Sequence, residues 1–219
     1  MSARKLDELI VTKDPAIKLI EQWVNDATVP CELLPPGPGR DDALLYVQVT
    51  THSSLGAMAY DTGGLLIDDG WVRFLGSGHA KLDRTLHGWN ATRADGTFML
   101  VGDDAAGGFF ALNGGALGGD LGSMYYLSPD SLEWESLNAG FTDVVAAFLT
   151  DYLDEFYKLL RWATWREDIQ NLSSDRGYFF FPFLWTREGS LEGSRRSTVP
   201  MSELWSVKIE TVRQLLGES

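Results

Sequence analysis

The chain has 219 residues, 44% of them hydrophobic, with 31 acidic side chains against 18 Lys and Arg, a formal net charge of −13. That length suits one large domain or two small ones, and the apolar content is too high for a disordered chain. The charge excludes a non-specific nucleic-acid binder, because phosphates would be repelled, and a lone cysteine, Cys31, excludes an internal disulfide framework and a four-Cys zinc site.

The first residues show no secretory pattern, since Arg4 and Lys5 lead directly into Asp7 and Glu8. No apolar run reaches the roughly 20 residues of a membrane span, so a cytoplasmic protein without a membrane partner is expected. Asp14-Pro15 reads as a helix cap and first turn, followed by Ile17, Ile20, Trp23 and Val24 at helical spacing. Pro35 to Gly39 (PPGPG) can only be a loop, after which Asp41-Asp42 opens a second helix over Ala43 to Val49.

The next stretch reads as strands: Leu55 to Tyr60, Leu65 to Ile67, Trp71 to Leu75, Phe98 to Val101 and Phe109 to Leu112, with a short helix over Leu82 to Trp89. Asp69-Gly70 between two apolar runs signals a tight hairpin, because both residues accept a positive φ. The glycines from Gly114 to Gly122 lack the lysine and helix start of a phosphate loop and read as a loop at the sheet edge. Two further strands, Met124 to Leu127 and Leu132 to Trp134, flank Ser128-Pro129-Asp130. A long helix follows: Phe141, Val144, Val145, Phe148, Leu149, Tyr152, Phe156 and Leu159 share one side, with Asp143, Asp151 and Asp154 opposite. An aromatic strand over Gly177 to Trp185 and a C-terminal helix over Glu203 to Leu216 complete the pattern. It predicts a single α+β domain over residues 1–219, a mainly antiparallel curved sheet flanked by helices.

The charge is concentrated. Between Arg93 and Lys158 no Lys, Arg or His occurs, whereas Asp95, Asp103, Asp104, Asp120, Asp130, Glu133, Glu135, Asp143, Asp151, Asp154 and Glu155 all fall there. Such a stretch is either a solvated face or a docking face for a basic protein, with Asp103, Asp104, Asp120, Glu133, Trp134, Glu135, Asp151, Asp154 and Glu155 as its binding residues. Trp134, between two glutamates, can point inward or toward a partner.

Enzyme signals are sparse. His52, His79 and His87 are the only histidines, and none stands in a metal or nucleophile motif. The one cluster with catalytic residue types is Asp68, Asp69, Arg73 and His79, in DDGWVRFLGSGH. A histidine folding back on either aspartate would make an acid–base pair and a pocket for a hydrolase or small-ligand enzyme. A turn aspartate and a loop histidine explain the same residues. No cofactor and no metal are expected.

The run from Thr62 to His79, TGGLLIDDGWVRFLGSGH, resembles the signature of an uncharacterised bacterial family of unknown function. A second resemblance is carried by Phe109 to Gly115 (FFALNGG), Gly119 to Gly122 with Tyr125-Tyr126, Trp134, and Phe141 to Leu149 (FTDVVAAFL): it is similar to the SUKH superfamily of bacterial immunity proteins. That likeness implies an α+β fold with a curved sheet and the binding and neutralisation of a toxin, often a nuclease. The chain ahead of these motifs departs from that superfamily.

Overall fold

A computed structural model describes residues 3–91 and 97–217. In chain order its elements are α1 (Leu6–Leu9), α2 (Ile17–Asn25), β1 (Cys31–Leu34), α3 (Arg40–Val47), α4 (Ser54–Asp61), β2 (Gly64–Ile67), β3 (Val72–Leu75), α5 (Leu86–Asn90), β4 (Phe98–Asp104), β5 (Phe109–Asn113), β6 (Ser123–Leu127) and β7 (Glu135–Gly140). After these come α6 (Phe141–Phe148), α7 (Tyr152–Phe156), α8 (Trp165–Ile169), β8 (Arg176–Phe181), β9 (Arg195–Pro200) and α9 (Met201–Leu216). Strands β1 to β7 form an antiparallel sheet in simple sequence order, with β1 and β7 at its edges, and β8 and β9 form a separate two-stranded ribbon. The α+β class is as expected. Among the described residues no helix is long and apolar enough to cross a membrane.

Alternation along the strands sends side chains to two faces. Phe110, Val101, Phe74 and Tyr126 join one core with Ile20 of α2, Ala57 and Met58 of α4, and Val144, Val145 and Phe148 of α6. Phe109, Ala111, Leu100 and Leu127 face the other way, against Met201, Leu204 and Trp205 of α9. The sheet is thus the middle of three layers. At the centre of the larger core Phe148 meets Phe74, Phe110 and Phe156 at ring-centroid distances of 6.2, 5.5 and 4.9 Å.

Several expected elements differ. Leu55 to Tyr60 is not a strand but lies within helix α4: the Ser53 hydroxyl accepts the Gly56 N–H at 3.1 Å as an N-cap. Residues Ser54 to Ala59 are buried on every side, so no helical period is visible, and a short apolar run reads the same in either conformation. The strand expected at Leu132 to Trp134 is replaced by β7, whose Ser136, Asn138 and Gly140 carry no strand signal. Its register against β6 shifts between Ser123 and Tyr125, around Asn138 at φ 52°.

The long helix expected from Phe141 to Leu159 is broken into α6 and α7. Thr28 enters the break: its N–H takes the Leu149 carbonyl at 3.0 Å and its hydroxyl donates to Asp151 at 2.7 Å. Leu159, beyond α7, is exposed. The expected β2–β3 hairpin is present. Its loop is four residues, Asp68 to Trp71, between the paired Ile67 and Val72, with Asp68, Asp69 and Gly70 at φ 51°, 57° and 84°.

The aromatic wedge between sheet and helices sets a first expectation. Phe148→Ala removes the ring shared by β3, β5 and α7, and should cost about 3–5 kcal/mol in a denaturant melt.

Candidate functional site

The first pair of acidic residues expected at a docking face is buried. Asp103 and Arg73 are both 0% exposed, and Arg73 Nε stands 2.7 Å from Asp103 Oδ1, although the N–H is not aimed along that contact. Arg73 also donates to the Arg176 carbonyl at 2.7 Å, and its Nη2 lies 3.3 Å from Met201 Sδ. The other Asp103 oxygen is taken by Arg84, which donates in turn to the Ser174 carbonyl. Burial pulls the Arg73 pKa down from its ordinary value, and the Asp103 charge opposes that.

Asp104 faces the opposite side of the sheet. It accepts the hydroxyls of Tyr126 at 2.7 Å and Tyr157 at 3.0 Å and the N–H groups of Ala106 and Gly108, both at 2.9 Å. Burial raises its pKa despite these four hydrogen bonds, and it pushes both phenols well above the usual tyrosine value. Asp103 and Asp104 therefore hold layers together and offer no charge to a partner. The reason is positional: in β4 they lie opposite Arg73 and Val72 of the central strand β3.

The remaining acids divide in two. Asp120, Asp130, Glu133, Glu135 and Asp143 are exposed along β7 and the loops beside it, and none is ion-paired to a cation among the described residues. Asp120 anchors this edge: the Tyr125 and Ser136 hydroxyls both donate to it and hold its pKa down at about 2. At the far end of α6, Asp154 pairs with Arg161 at 2.6 Å, Glu155 with Lys158 at 3.5 Å, and Asp151 accepts from Thr28. Trp134 turns inward, its ring 5.5 Å from Phe98 and 6.4 Å from Trp205. Asp95 lies outside the described residues.

The four residues of the catalytic alternative do not converge. Asp68 is buried at the hairpin tip, where Arg161 and Arg166 reach its two oxygens at 2.6 and 2.9 Å. Asp69 beside it is exposed and lines a shallow hollow with Cys31, Glu32 and Gln170. Arg73 is committed to Asp103. His79 follows the opposite end of β3, where its backbone bridges Leu82 and its Nδ1 accepts the Lys81 N–H at 3.2 Å. A four-residue strand separates the histidine from both aspartates, so the acid–base pair is not formed.

One group was not singled out from sequence. Lys208 of α9 is 2% exposed, and its Nζ donates to the Ser128 carbonyl. It lines a narrow cleft of about 20 Å³ with Pro129, Phe179, Phe183, Trp185 and Leu204, and Nζ lies 5.5 Å from the Trp185 ring centroid. Burial lowers its pKa from 10.5 to about 7 against the opposing pull of Asp104 and Asp130. The legible signal was spacing: Met201, Leu204 and Lys208 fall at i, i+3 and i+7, which puts a lysine on the apolar stripe of the helix.

The family model described as "Protein of unknown function DUF2625" matches residues 6–204. The uncharacterised protein YbfG of Escherichia coli (strain K12) is 42% identical over 210 residues, covering 94% of this chain and 96% of that protein. An uncharacterised protein of Haemophilus influenzae is 34% identical over 213 residues, covering 94% and 90%. No solved structure matches the chain significantly.

Two stability outcomes follow. Asp103→Ala leaves Arg73 buried without its carboxylate and should cost about 3–5 kcal/mol, whereas Glu133→Ala on the open edge should stay within about 0.5 kcal/mol; chemical denaturation of the two variants checks both. For Lys208 the folded pKa is the lower one, so between pH 7 and about 9 the unfolded chain alone gains protonated amine. Stability should therefore rise with pH in that window, by up to about 1.4 kcal/mol per unit. Lys208→Met should flatten this slope and raise the melting temperature at neutral pH.

Proposed function

Since the chain belongs to the DUF2625 family of proteins of unknown function, we propose that it is a non-enzymatic, cytoplasmic binding protein whose acidic sheet edge docks a basic protein partner. One observation carries this reading: Asp120, Asp130, Glu133, Glu135 and Asp143 surround the edge strand β7 with no cation paired to them among the described residues. Held at about 2, Asp120 stays charged across the physiological range. Uncompensated charge of one sign steers a cationic protein into encounter and disfavours acidic competitors.

The likeness of Phe109 to Leu149 to SUKH immunity proteins supports the same reading, with a toxin or nuclease as the basic partner. A nuclease groove built to hold phosphates is complementary to a row of carboxylates. No comparable observation favours the hydrolase alternative, whose Asp68 and Arg73 are each occupied by partners inside the fold.

The test is affinity capture from the native bacterial host at low salt, with the intact chain beside an Asp120→Asn, Glu133→Gln, Glu135→Gln variant. The intact chain should retain a basic protein that the variant retains on the order of ten-fold less, and that is released as salt shortens the screening length below about 10 Å. Recovery of no basic protein, or binding indifferent to salt and to the three substitutions, would count against the proposal.

A further inference from the structure

The two edges of the main sheet differ. At β7 the register shifts and Asn138 turns left-handed, whereas β1 keeps one register against β2 over its whole length. The Asp68 N–H donates to the Pro30 carbonyl at 2.6 Å, which sets the phase of that ladder. Glu32 and Leu34 therefore turn their backbone groups toward β2, and Cys31 and Leu33 turn theirs outward. Among the described residues no hydrogen bond reaches the outward N–H and C=O groups of Cys31 and Leu33. Such groups must be left to water, and an edge of this kind is a template for a further strand.

Beside this edge lies the hollow at the hairpin tip, about 660 Å³, lined by Glu32 and Leu66 together with Asp69, Gly70 and Gln170. Glu32 and Leu66 are directly paired across β1 and β2, so their side chains share a face. Asp69 is exposed and has no ion pair among the described residues. Glu32 pairs with Lys81 at 2.6 Å, but both side chains are at least half exposed, and a surface pair of that kind exchanges readily for another cation.

We propose that the β1 edge binds an extended segment of another protein, added as an antiparallel strand, with an Arg or Lys opposite Glu32 and its cation in the hollow between Glu32 and Asp69. The phase selects this residue. Cys31 and Leu33 supply the hydrogen bonds, so the residue facing Glu32 occupies a non-hydrogen-bonded position, where side chains come closest and point to the same face. Two carboxylates there favour a cation and reject an acid. A second copy of this chain is disfavoured as the occupant: two-fold pairing through the same groups sets Glu32 directly against Glu32 of the other copy, in a chain whose net charge is already −13.

The site lies at the edge opposite β7 and does not depend on the docking reading given to that strand. Its test is fluorescence anisotropy of the intact chain with a labelled extended peptide, acetyl-TVTRTVT-amide. The same peptide with Glu in place of Arg, or with N-methyl groups on the two threonines that flank the Arg, should bind on the order of ten-fold more weakly or not at all. The Glu32→Gln, Asp69→Asn variant should lose about as much affinity for the Arg peptide. Leu33→Pro deletes an outward N–H without touching the ladder to β2, and should abolish binding while keeping a cooperative melt; if that variant does not fold, the N-methyl peptide reads the same contact on the intact chain. The Asp120→Asn, Glu133→Gln, Glu135→Gln variant should bind the Arg peptide as the intact chain does. An Arg peptide bound no better than its Glu counterpart, binding that survives N-methylation, or binding lost in the β7 variant overturns the proposal. So does a dimer in light scattering that Leu33→Pro dissolves, which would assign the edge to a second copy.

Discussion

The pair of fully buried charges on β3 and β4, Arg73 and Asp103, is the interaction on which the layers of this fold depend. Two ions out of water repay their desolvation only when the geometry is good and the leftover donors and acceptors are satisfied. Here the leftovers do the joining. Arg73 donates to the carbonyl that opens β8 and lies against the first residue of α9, and the second oxygen of Asp103 draws Arg84 toward Ser174, ahead of β8. The C-terminal ribbon and helix are thereby tied to the centre of the sheet. Asp104, one residue on, does the same on the other face through Tyr126 and Tyr157. Adjacent aspartates in one strand necessarily point to opposite faces, so a two-residue acidic step bolts three layers.

This placement changes what the acidity means. A base-free stretch from residue 94 to 157 looks in sequence like a single negative surface. In the fold its members have three different occupations: Asp103 and Asp104 are structural, the α6–α7 group is partly neutralised by Arg161 and Lys158, and the β7 group remains uncompensated. The open edge of a sheet is also where pairing with a second chain must be prevented, and charge and a backbone irregularity are two means of doing so. β7 has both, with Glu135 at its start and Asn138 in a left-handed conformation. The row of charges at that edge disfavours strand addition by a second chain, and the partner proposed above would meet it by electrostatic docking.

Much of the architecture was legible because its signals are local. Strands β2, β3, β5 and β6 alternate or carry turn residues at their ends, and α9 shows a helical stripe. What could not be read depends on contacts distant in sequence. Helix α4 is enclosed on all sides and shows no period; α6 and α7 are divided by Thr28, well over a hundred residues earlier; β7 is a strand because β6 pairs with it, not because Ser136 and Asn138 prefer to be extended. The site suffered in the same way. Nothing local distinguishes Asp103 from Asp120, since the first is buried by its register with Arg73 and the second is exposed in a loop. The Asp68 and His79 cluster was suggested by proximity along the chain, whereas a hairpin sends its tip and its far end apart. Lys208 was visible as a charge on an apolar stripe, a local conflict of the sort that marks sites of function.

The central claim is that the coupling between Arg73 and Asp103, and not either charge alone, secures the C-terminal layer. A double-mutant cycle in chemical denaturation tests it most directly, with Arg73→Met, Asp103→Leu and the two combined. The account predicts that Asp103→Leu is severely destabilising because it strands the buried Arg73, that Arg73→Met costs less because Arg84 still pairs with Asp103, and that adding Arg73→Met to Asp103→Leu recovers part of the loss by removing the stranded guanidinium, while Arg84 keeps the Ser174 carbonyl as a partner. A combined variant whose loss equals the sum of the two singles would contradict it.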